Sequence, residues 1–206
     1  MAKVMLQDNV KVSSQNVSLY GTGAYTGEIA AEQLVDFGIE WTIIGHSERR
    51  TLFHEDNETV AKKVAKAQEA GLNVILCIGE TLDQRESNTT NDVLKAQLDA
   101  CKDSVKDWSK IVIAYEPVWA IGTGKVASPE QAQETQHYVR SWINENISEE
   151  TGAATRIIYG GSANEKNCKE LIGQEDIDGF LVGGASLKPA FKDIVATASE
   201  QHGVKA

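Results

Sequence analysis

The segment Ile111–Lys125, with the sequence IVIAYEPVWAIGTGK, predicts a buried strand followed by a covering loop. Residues 111–115 are apolar and largely β-branched, which indicates a strand with both faces covered. Glu116 follows this strand directly, Pro117 ends it, and the loop beyond is apolar at its centre before the polar stretch Gly122–Lys125. A carboxylate in this position suits a general base that is kept from water. The alternative is a strand-end carboxylate in a surface ion pair.

The composition is that of a globular protein, with 41% hydrophobic and 24% charged residues in a chain of 206. No run of 18 apolar residues and no apolar N-terminal core is present, so we expect neither a membrane helix nor a signal peptide. The net charge of −10 argues against nucleic acid and anionic membranes as partners. Three widely spaced cysteines without a CxxC pair indicate reduced thiols and a cytoplasmic location. No cluster has metal-ligand spacing, so no metal site is expected.

Six apolar runs alternate with helix-like segments along the chain. The runs are Val10–Val17, Trp41–Gly45, Asn73–Gly79, Ile111–Tyr115, Thr155–Tyr159 and Ile177–Gly183. Most are continuously apolar, which is typical of a parallel sheet covered on both faces. The sequence therefore predicts one α/β domain of six βα units over residues 1–206. Such units form either an open doubly wound sheet or a closed barrel.

The predicted helices carry recognisable start and stop signals. They span Glu58–Ala70, Asn91–Trp108, Glu130–Asn146 and Pro189–Gln201. In the first, Val60, Val64 and Ala67 share one face, which predicts its buried side. The third is preceded by Ser128 as N-cap, with Pro129 at the first position and Gln131 completing a capping box.

The segment Gly45–Arg50 places His46 at a junction between a strand and a helix. Backbone N–H groups at such a junction favour a neutral imidazole that can donate a hydrogen bond to a carbonyl. The alternative is a structural histidine. Ser47 is predicted as the N-cap of the following helix, and Glu48 with Arg49 forms a possible surface pair.

Two strand ends carry paired glycines, in the segments Tyr159–Asn164 and Leu181–Ser186. Paired glycines let backbone N–H groups approach an anion closely, so the two segments together predict a phosphate cradle. The alternative for either segment alone is a simple turn.

These motifs together resemble the triosephosphate isomerase family. Ala114–Lys125 is similar to the catalytic strand and lid, and Ile44–Arg50, Tyr159–Ser162 and Leu181–Ser186 are similar to other parts of the family's site. Gly23–Glu28 resembles the family's dimer-interface loop. The motifs are collinear and cover the whole chain.

The resemblance implies a (βα)₈ barrel enzyme of glycolysis and gluconeogenesis. It would interconvert glyceraldehyde 3-phosphate and dihydroxyacetone phosphate through an enediolate, without cofactor or metal. Glu116 would be the base, and His46 would polarise the carbonyl. The phosphate would be bound by Gly122, Ser162, Gly183 and Gly184.

The resemblance assigns three further groups of residues. The supporting residues are Ser47, Glu48 and Arg49. The lid comprises Pro117, Val118, Trp119, Ala120, Ile121, Gly122, Thr123, Gly124 and Lys125. The loop of a family homodimer contains Tyr25, Thr26, Gly27 and Glu28.

The match departs from the family in one respect. The first run, Val10–Val17, resembles the family's third strand, so we expect an incomplete barrel that lacks the first two βα units. The family's first strand carries an asparagine and a lysine that contact the substrate, and we find no counterpart of either. Catalysis by this chain alone is therefore expected to be severely impaired, and dimerisation is expected to be weakened. An active enzyme would need a replacement cation near Ser162 and Gly184.

Two other functions remain open at this point. The first is a non-catalytic association protein that acts through the loop Gly21–Glu28 or through open sheet edges. The second is an open-sheet binder of nucleotides or phosphosugars, in which Glu116 would lie away from the glycine pairs.

Overall fold

The computed structural model describes residues 10–121 and 126–201. Within them, five strands form one sheet whose order follows the chain, β1-β2-β3-β4-β5. The strands are β1 (Ser13–Ser14), β2 (Trp41–Ile44), β3 (Asn73–Ile78), β4 (Ile111–Tyr115) and β5 (Arg156–Tyr159). β1 pairs with β2 in parallel, with Ser13 opposite Trp41, and β2 pairs with β3 in parallel, with Trp41 opposite Asn73. Consecutive parallel neighbours require the helical crossovers that the sequence predicted.

Helices connect the strands. They are α1 (Ala31–Asp36), α2 (Ser47–Leu52), α3 (Asn57–Glu69), α4 (Leu82–Glu86), α5 (Thr90–Lys102), α6 (Pro129–Asn146), α7 (Glu149–Ala154), α8 (Cys168–Ile172) and α9 (Phe191–Gln201). Short 3₁₀ turns occur at Trp108–Lys110, Val118–Ala120 and Gly184–Leu187. No helix in the described ranges is long and apolar enough to cross a membrane.

The predicted capping of α6 is confirmed. Ser128 Oγ accepts a hydrogen bond from the Gln131 N–H at 3.2 Å, and Gln131 Oε1 accepts one from the Ser128 N–H at 3.0 Å. Pro129 is at the first helical position, where its missing N–H costs no intrahelical bond. Local sequence therefore fixes where this helix begins.

The chain packs as two units, one comprising residues up to Cys77 with Ala96–Val112, and the other Ile78–Lys95 with residues from Ile113 onward. The division falls within β3, β4 and α5. The first unit buries the predicted face of α3, with Val60, Val64 and Ala67 fully inaccessible. The rest of its apolar core includes Val17, Leu34, Ile44, Leu72, Val74, Leu76, Leu98, Cys101 and Ile111.

The second unit has its own core around β4, β5 and α6. The buried residues include Ile113, Tyr115, Ala132, Val139, Trp142, Ile143, Ile157, Tyr159, Leu171 and Ile172. Arg140 of α6 donates to both Asp176 and Asp178, and also to the carbonyls of Gly152 and Thr155. These bonds tie α6 to the end of α7, to Asp176 just before the sixth apolar run and to Asp178 within that run.

The sixth run, predicted as a strand over 177–183, pairs with β5 without forming a regular ladder. The N–H groups of Asp178 and Leu181 donate to β5 carbonyls, and the Tyr159 N–H donates to Gly179. The Ile157 N–H bonds to the side chain of Asp178 at 2.7 Å instead of a carbonyl. Because a side chain replaces one backbone acceptor, only a single parallel bridge, Tyr159 to Phe180, is regular.

Two other predicted boundaries were wrong. The first run forms a strand only at Ser13–Ser14, where polar side chains predominate and Ser14 Oγ bonds to Thr42 Oγ1 at 2.8 Å. The helix predicted to continue to Trp108 ends at Lys102, and Trp108 begins a 3₁₀ turn whose cap is the Asp107 side chain. Asp107 competes with the helix by accepting the Ser109 N–H.

Candidate active site

His46 lies in the first unit, directly after β2, and is the N-cap of α2. Its Nδ1 accepts the backbone N–H of Glu48 at 3.2 Å. The prediction that Ser47 caps this helix was therefore wrong: the imidazole satisfies the free N–H, and Ser47 is the first helical residue and is buried. A ring nitrogen that accepts a hydrogen bond carries no proton, so a neutral His46 holds its proton on Nε2. That tautomer is a hydrogen-bond donor.

Gly45 and Arg50 hold the backbone on either side of His46. Gly45 has φ +80°, and a Cβ there would lie 3.0 Å from the Cys77 carbonyl. Arg50 Nε donates to the Gly45 carbonyl at 2.8 Å, and its Nη1 donates to Asn57 Oδ1 at 2.8 Å. The turn that presents His46 is thus fixed by a glycine that cannot be replaced without strain and by a bridging arginine.

Arg49 does not pair with Glu48, contrary to the surface-pair alternative. Its Nε donates to Glu55 Oε1 at 2.7 Å, and Lys63 Nζ reaches the same oxygen at 2.6 Å. Lys63 also donates to Asn16 Oδ1 at 3.1 Å. Glu55 and Lys63 are buried, so this ion cluster anchors α2 to α3 inside the first unit. Glu48 is exposed.

Glu116 lies in the second unit directly after β4 and is only 1% exposed. The alternative of a surface ion pair is therefore wrong. Its backbone N–H donates to the Ile78 carbonyl at 2.7 Å, which extends the pairing between the ends of β3 and β4 by one residue. The base predicted from the sequence is thus a carboxylate delivered from a buried strand end.

Two glycines make room for Glu116. A Cβ at Gly79 would clash with the Glu116 carbonyl, and a Cβ at Gly160 would lie 2.9 Å from Glu116 Cγ. The Gly160 N–H donates to the Tyr115 carbonyl at 2.7 Å. Gly160 and Gly161 were predicted to admit an anion, but the space around them is occupied by Glu116 and by the Tyr159 ring. The absence of a side chain at Gly160 leaves room for Glu116, and its absence at Gly161 leaves room for the Tyr159 ring.

The second glycine pair fits the anion interpretation better. A Cβ at Gly183 or Gly184 would meet no atom within 4 Å, and both residues are exposed. Gly184 begins a 3₁₀ turn, where the first N–H groups lack intrahelical acceptors. Open space beside such N–H groups is suited to an anion.

Ser162 forms hydrogen bonds within the chain through both its side chain and its backbone. Its hydroxyl donates to the Ala120 carbonyl of the lid at 2.6 Å, and its carbonyl accepts from Asn167 Nδ2 at 2.8 Å. These bonds join the turn after β5 to the described part of the lid. They do not supply the cation that an anionic substrate would need near Ser162.

The lid is described from Pro117 to Ile121, and the predicted residues Gly122, Thr123, Gly124 and Lys125 lie outside the described residues. Trp119 Nε1 donates to Glu80 Oε1 at 2.9 Å, and the Val118 N–H donates to the Glu80 carbonyl at 3.1 Å. Tyr115 OH donates to the same carboxylate at 3.1 Å. Burial, together with the charge of Glu80, raises the pKa of Tyr115 far above its usual range, so the phenol keeps its proton.

The predicted dimer loop lies in the first unit and is exposed. Tyr25 stacks on Tyr20 with ring centroids 4.3 Å apart and planes 8° from parallel. The Ser18 N–H donates to the Ile29 carbonyl at 2.9 Å and closes the base of the loop. Gly27 has φ +91°, which favours glycine at the turn between Thr26 and Glu28.

In the part of the chain that the structure describes, no group of three or more His, Cys, Asp or Glu residues could hold a metal ion. Cys77, Cys101 and Cys168 are buried free thiols, as predicted. Burial raises the pKa of Cys101 to about 11, so it is not a thiolate nucleophile.

Sequence reasoning missed Glu80, Arg85 and the Glu55–Lys63 pair. Glu80 follows Gly79 at the end of β3, and this pattern of a carboxylate after a buried strand is the one that identified Glu116. Lys63 lies between Val60 and Val64 on the otherwise apolar face of α3, which is an unusual place for a cation. The first pattern could have identified Glu80 as a buried charge, and the second could have identified Lys63.

Comparisons with known proteins agree with one another. A family model described as triosephosphate isomerase matches residues 1–198. The chain is 55% identical over 199 residues to a cytosolic triosephosphate isomerase from Oryza sativa subsp. japonica. The matched region covers 97% of this chain and 79% of the relative. Triosephosphate isomerases from Paracoccidioides lutzii and Emericella nidulans are each 56% identical, over 95% and 94% of this chain, respectively, and 79% of each relative.

Proposed function

Because the chain belongs to the triosephosphate isomerase family, its function is the isomerisation of a triose phosphate, and we propose that Glu116 and His46 carry that reaction. The substrates are glyceraldehyde 3-phosphate and dihydroxyacetone phosphate. The observation that carries the proposal is the burial of the Glu116 carboxylate at the end of β4. A carboxylate withdrawn from water is a stronger base than an exposed one.

In the proposed mechanism, the Glu116 carboxylate removes the proton from the carbon next to the carbonyl. The C–H electron pair forms a carbon–carbon double bond, and the carbonyl oxygen takes up the negative charge of an enediolate. A proton passes from the neighbouring hydroxyl to the enediolate oxygen, and Glu116 returns its own proton to the neighbouring carbon. The neighbouring oxygen thereby becomes the new carbonyl, which completes the exchange of aldehyde and ketone.

His46 would donate its Nε2 proton in a hydrogen bond to the oxygen on which charge develops. The hydrogen bond from the Glu48 N–H to Nδ1 supports this role because it leaves the proton on Nε2. Arg49 and Ser47 would support the imidazole by holding α2, Arg49 through Glu55. A donor aimed at a developing oxyanion stabilises the transition state more than the ground state.

The phosphate of the substrate would bind at Gly183 and Gly184, with Ser162 and Gly122 as further donors. The open space beside Gly183 and Gly184 supports this assignment. The Ser162 hydroxyl donates to Ala120, so its contribution would come from its backbone N–H or after release of that bond. The lid from Pro117 to Lys125 would cover the substrate and keep water from the enediolate.

We further propose that the chain forms a homodimer in the cytosol through the loop at Tyr25, Thr26, Gly27 and Glu28. The exposure of this loop and the parallel stacking of Tyr25 on Tyr20 support the homodimer. The name of the cytosolic rice relative supports the cytosolic location. Sedimentation velocity at several concentrations tests the dimer. Because dimerisation is expected to be weakened, wild type should shift from monomer to dimer as the concentration rises, and Tyr25→Ser should stay closer to a monomer.

The test of the function is turnover of glyceraldehyde 3-phosphate by the purified chain, with Glu116→Gln as the control. The proposal expects turnover that falls by about 10²–10⁴-fold in the control, the range typical of a lost general base. Equal rates in the two proteins would refute the assignment of Glu116. Absence of turnover in both would favour the association protein as the function of this chain.

A further inference from the structure

Glu80 is a fully buried residue of the second unit, two residues after the end of β3. Its Oε1 accepts three hydrogen bonds: from Tyr115 OH at 3.1 Å, from Trp119 Nε1 at 2.9 Å and from Arg85 Nη1 at 3.3 Å. Its Oε2 has no hydrogen-bond partner among the described residues. A buried carboxylate is costly unless it is paired with a cation and hydrogen-bonded.

Arg85 provides the opposite charge. It lies on the short helix α4, its side chain is largely buried, and its guanidinium forms the ion pair with Glu80. The same guanidinium lies over the Trp119 ring, 5.4 Å from the centroid, which is within range of a cation–π interaction. Arg85 therefore contacts both partners of the Trp119–Glu80 hydrogen bond.

The Trp119–Glu80 bond holds the segment that carries the candidate base. Glu116 lies three residues before Trp119, and its N–H donates to Ile78, while the Val118 N–H donates to the Glu80 carbonyl. The chain from Glu116 to Trp119 is thus fixed at three points, one at Ile78 at the end of β3 and two at Glu80. The third point is the side-chain bond that Arg85 completes.

We propose that Arg85 is a positioning residue for the isomerisation, acting on Glu116 through Glu80 and Trp119. This inference rests on the proposed function of Glu116. Arg85 pairs with the buried Glu80 carboxylate and fixes the plane of the indole. Without it, Trp119 loses both its cation–π contact and a rigid acceptor, and the backbone that positions Glu116 is less restrained.

The charge and the planar shape of Arg85 have separable effects. Lysine at this position would keep a cation for Glu80 but would lose the flat guanidinium face over the indole. Methionine would keep much of the side-chain length but would lose both the positive charge and the flat guanidinium face. We therefore expect Arg85→Lys to lie between wild type and Arg85→Met in every measurement that reports on Trp119.

The experiment measures kcat, KM and the environment of Trp119 in the full chain. We expect kcat of Arg85→Met to fall by about tenfold or more, since small misplacements of a catalytic group are costly. KM should change by less than about threefold, because the phosphate contacts are not touched. The control is Lys169→Met, which removes one positive charge from the exposed surface of α8 and should leave kcat unchanged.

Trp119 is observed by ¹⁹F NMR after labelling with 5-fluorotryptophan, its resonance being identified in Trp119→Phe. The resonance should move in Arg85→Met, move less in Arg85→Lys and remain in place in Lys169→Met. Circular dichroism establishes that each variant is folded. If Arg85→Met does not fold, Arg85→Gln takes its place. The kcat and the Trp119 resonance of Arg85→Gln are then compared with those of Arg85→Lys, and equal values in the two variants and wild type would overturn the inference.

Wild-type kcat together with an unmoved Trp119 resonance in a folded Arg85→Met protein would overturn the inference. So would a loss of kcat equal in Arg85→Met and Lys169→Met. If the wild-type chain shows no turnover, the proposed function fails, and the resonance alone decides whether Arg85 positions Trp119.

Discussion

The backbone N–H of Glu48 donates to Nδ1 of His46 over 3.2 Å, so the imidazole caps α2 and determines its own tautomer. One hydrogen bond serves both the fold and the proposed chemistry. It satisfies an N–H group that has no acceptor at the start of a helix, and it leaves Nε2 as the donor. The two roles can be separated by substitution.

His46→Asn should keep the cap and lose the donor. Asparagine is a good N-cap because its Oδ1 can accept the Glu48 N–H, but its amide does not reach the position of Nε2. We expect kcat to fall by about 10²–10⁴-fold, as for loss of a positioned acid–base group. The thermal midpoint should stay near that of wild type.

His54→Asn is the matched control, since His54 is exposed with φ +55° and asparagine tolerates this backbone conformation. Its kcat should match that of wild type. Unchanged turnover in His46→Asn would remove His46 from the mechanism.

Gly160→Ala should impair catalysis without perturbing the proposed phosphate site at Gly183. A methyl group at Gly160 would lie 2.9 Å from Glu116 Cγ, closer than side-chain carbons normally approach, so the carboxylate must shift. We expect kcat to fall by up to about 10²-fold, the cost of a displacement on the order of 1 Å. Steady-state kinetics measures this.

Gly173→Ala provides the comparison for Gly160→Ala. Gly173 has φ −74°, and its added Cβ would meet the Lys169 carbonyl at an ordinary 3.4 Å. Its kinetics should resemble those of wild type. If both variants lose activity equally, the contact between Gly160 and Glu116 has no special role.

Arg140→Met should destabilise the second unit strongly. It removes hydrogen bonds to Asp176 and Asp178 and to the carbonyls of Gly152 and Thr155, and it leaves the buried Asp176 without its main cation. Breaking a buried ion pair from one side costs about 3–5 kcal/mol. Denaturant unfolding measures the free energy. A loss no greater than that of exposed Lys192→Met would contradict this prediction.

The stability of the chain should depend on pH through Asp176. Burial alone would raise the pKa of this carboxyl, but hydrogen bonds from Arg140, His137 and Gln133 outweigh burial and lower the pKa below its usual value near 3.8. The unfolded state then binds a proton at a higher pH than the folded state. The stabilisation is complete above about pH 4 and is lost as the pH falls through the folded-state pKa.

Asp176→Asn tests this dependence. The difference in unfolding free energy between wild type and Asp176→Asn should be largest near neutral pH and should narrow below about pH 4. Unfolding curves from pH 7 to pH 3 measure it, with the exposed Asp193→Asn as control. A difference that stays constant over this range would show that Asp176 does not titrate as described.

Much of this architecture could be predicted because periodic burial and helix capping depend on residues that are close together in the sequence. The strand at Ile111–Tyr115 and the capping box at Ser128 are confirmed to the residue. Ser47 was wrongly predicted as a cap because a histidine that precedes a serine can take over the same N–H group. The packing roles of Gly79 and Gly160 depend on a strand more than 35 residues away in the sequence, and no local pattern contains that information.

The charged groups show the same limit. The burial of Glu116 could be predicted because this residue follows an apolar run directly. Arg85 lies in a polar helix, and only its contacts with Glu80 and Trp119 distinguish it from an ordinary surface arginine. A buried ion pair is a property of three-dimensional packing, so its partners cannot be inferred from composition or spacing.

The most direct test of the central claim, that Glu116 moves the substrate proton, is the reaction of glyceraldehyde 3-phosphate in D₂O, followed by ¹H NMR. A carboxylate that accepts the proton can exchange it with solvent before returning it to carbon. We expect wild type to form dihydroxyacetone phosphate with deuterium at C1 and Glu116→Gln to form it about 10²–10⁴-fold more slowly. Labelled product formed at equal rates by both proteins, or no product from wild type, would contradict this role of Glu116.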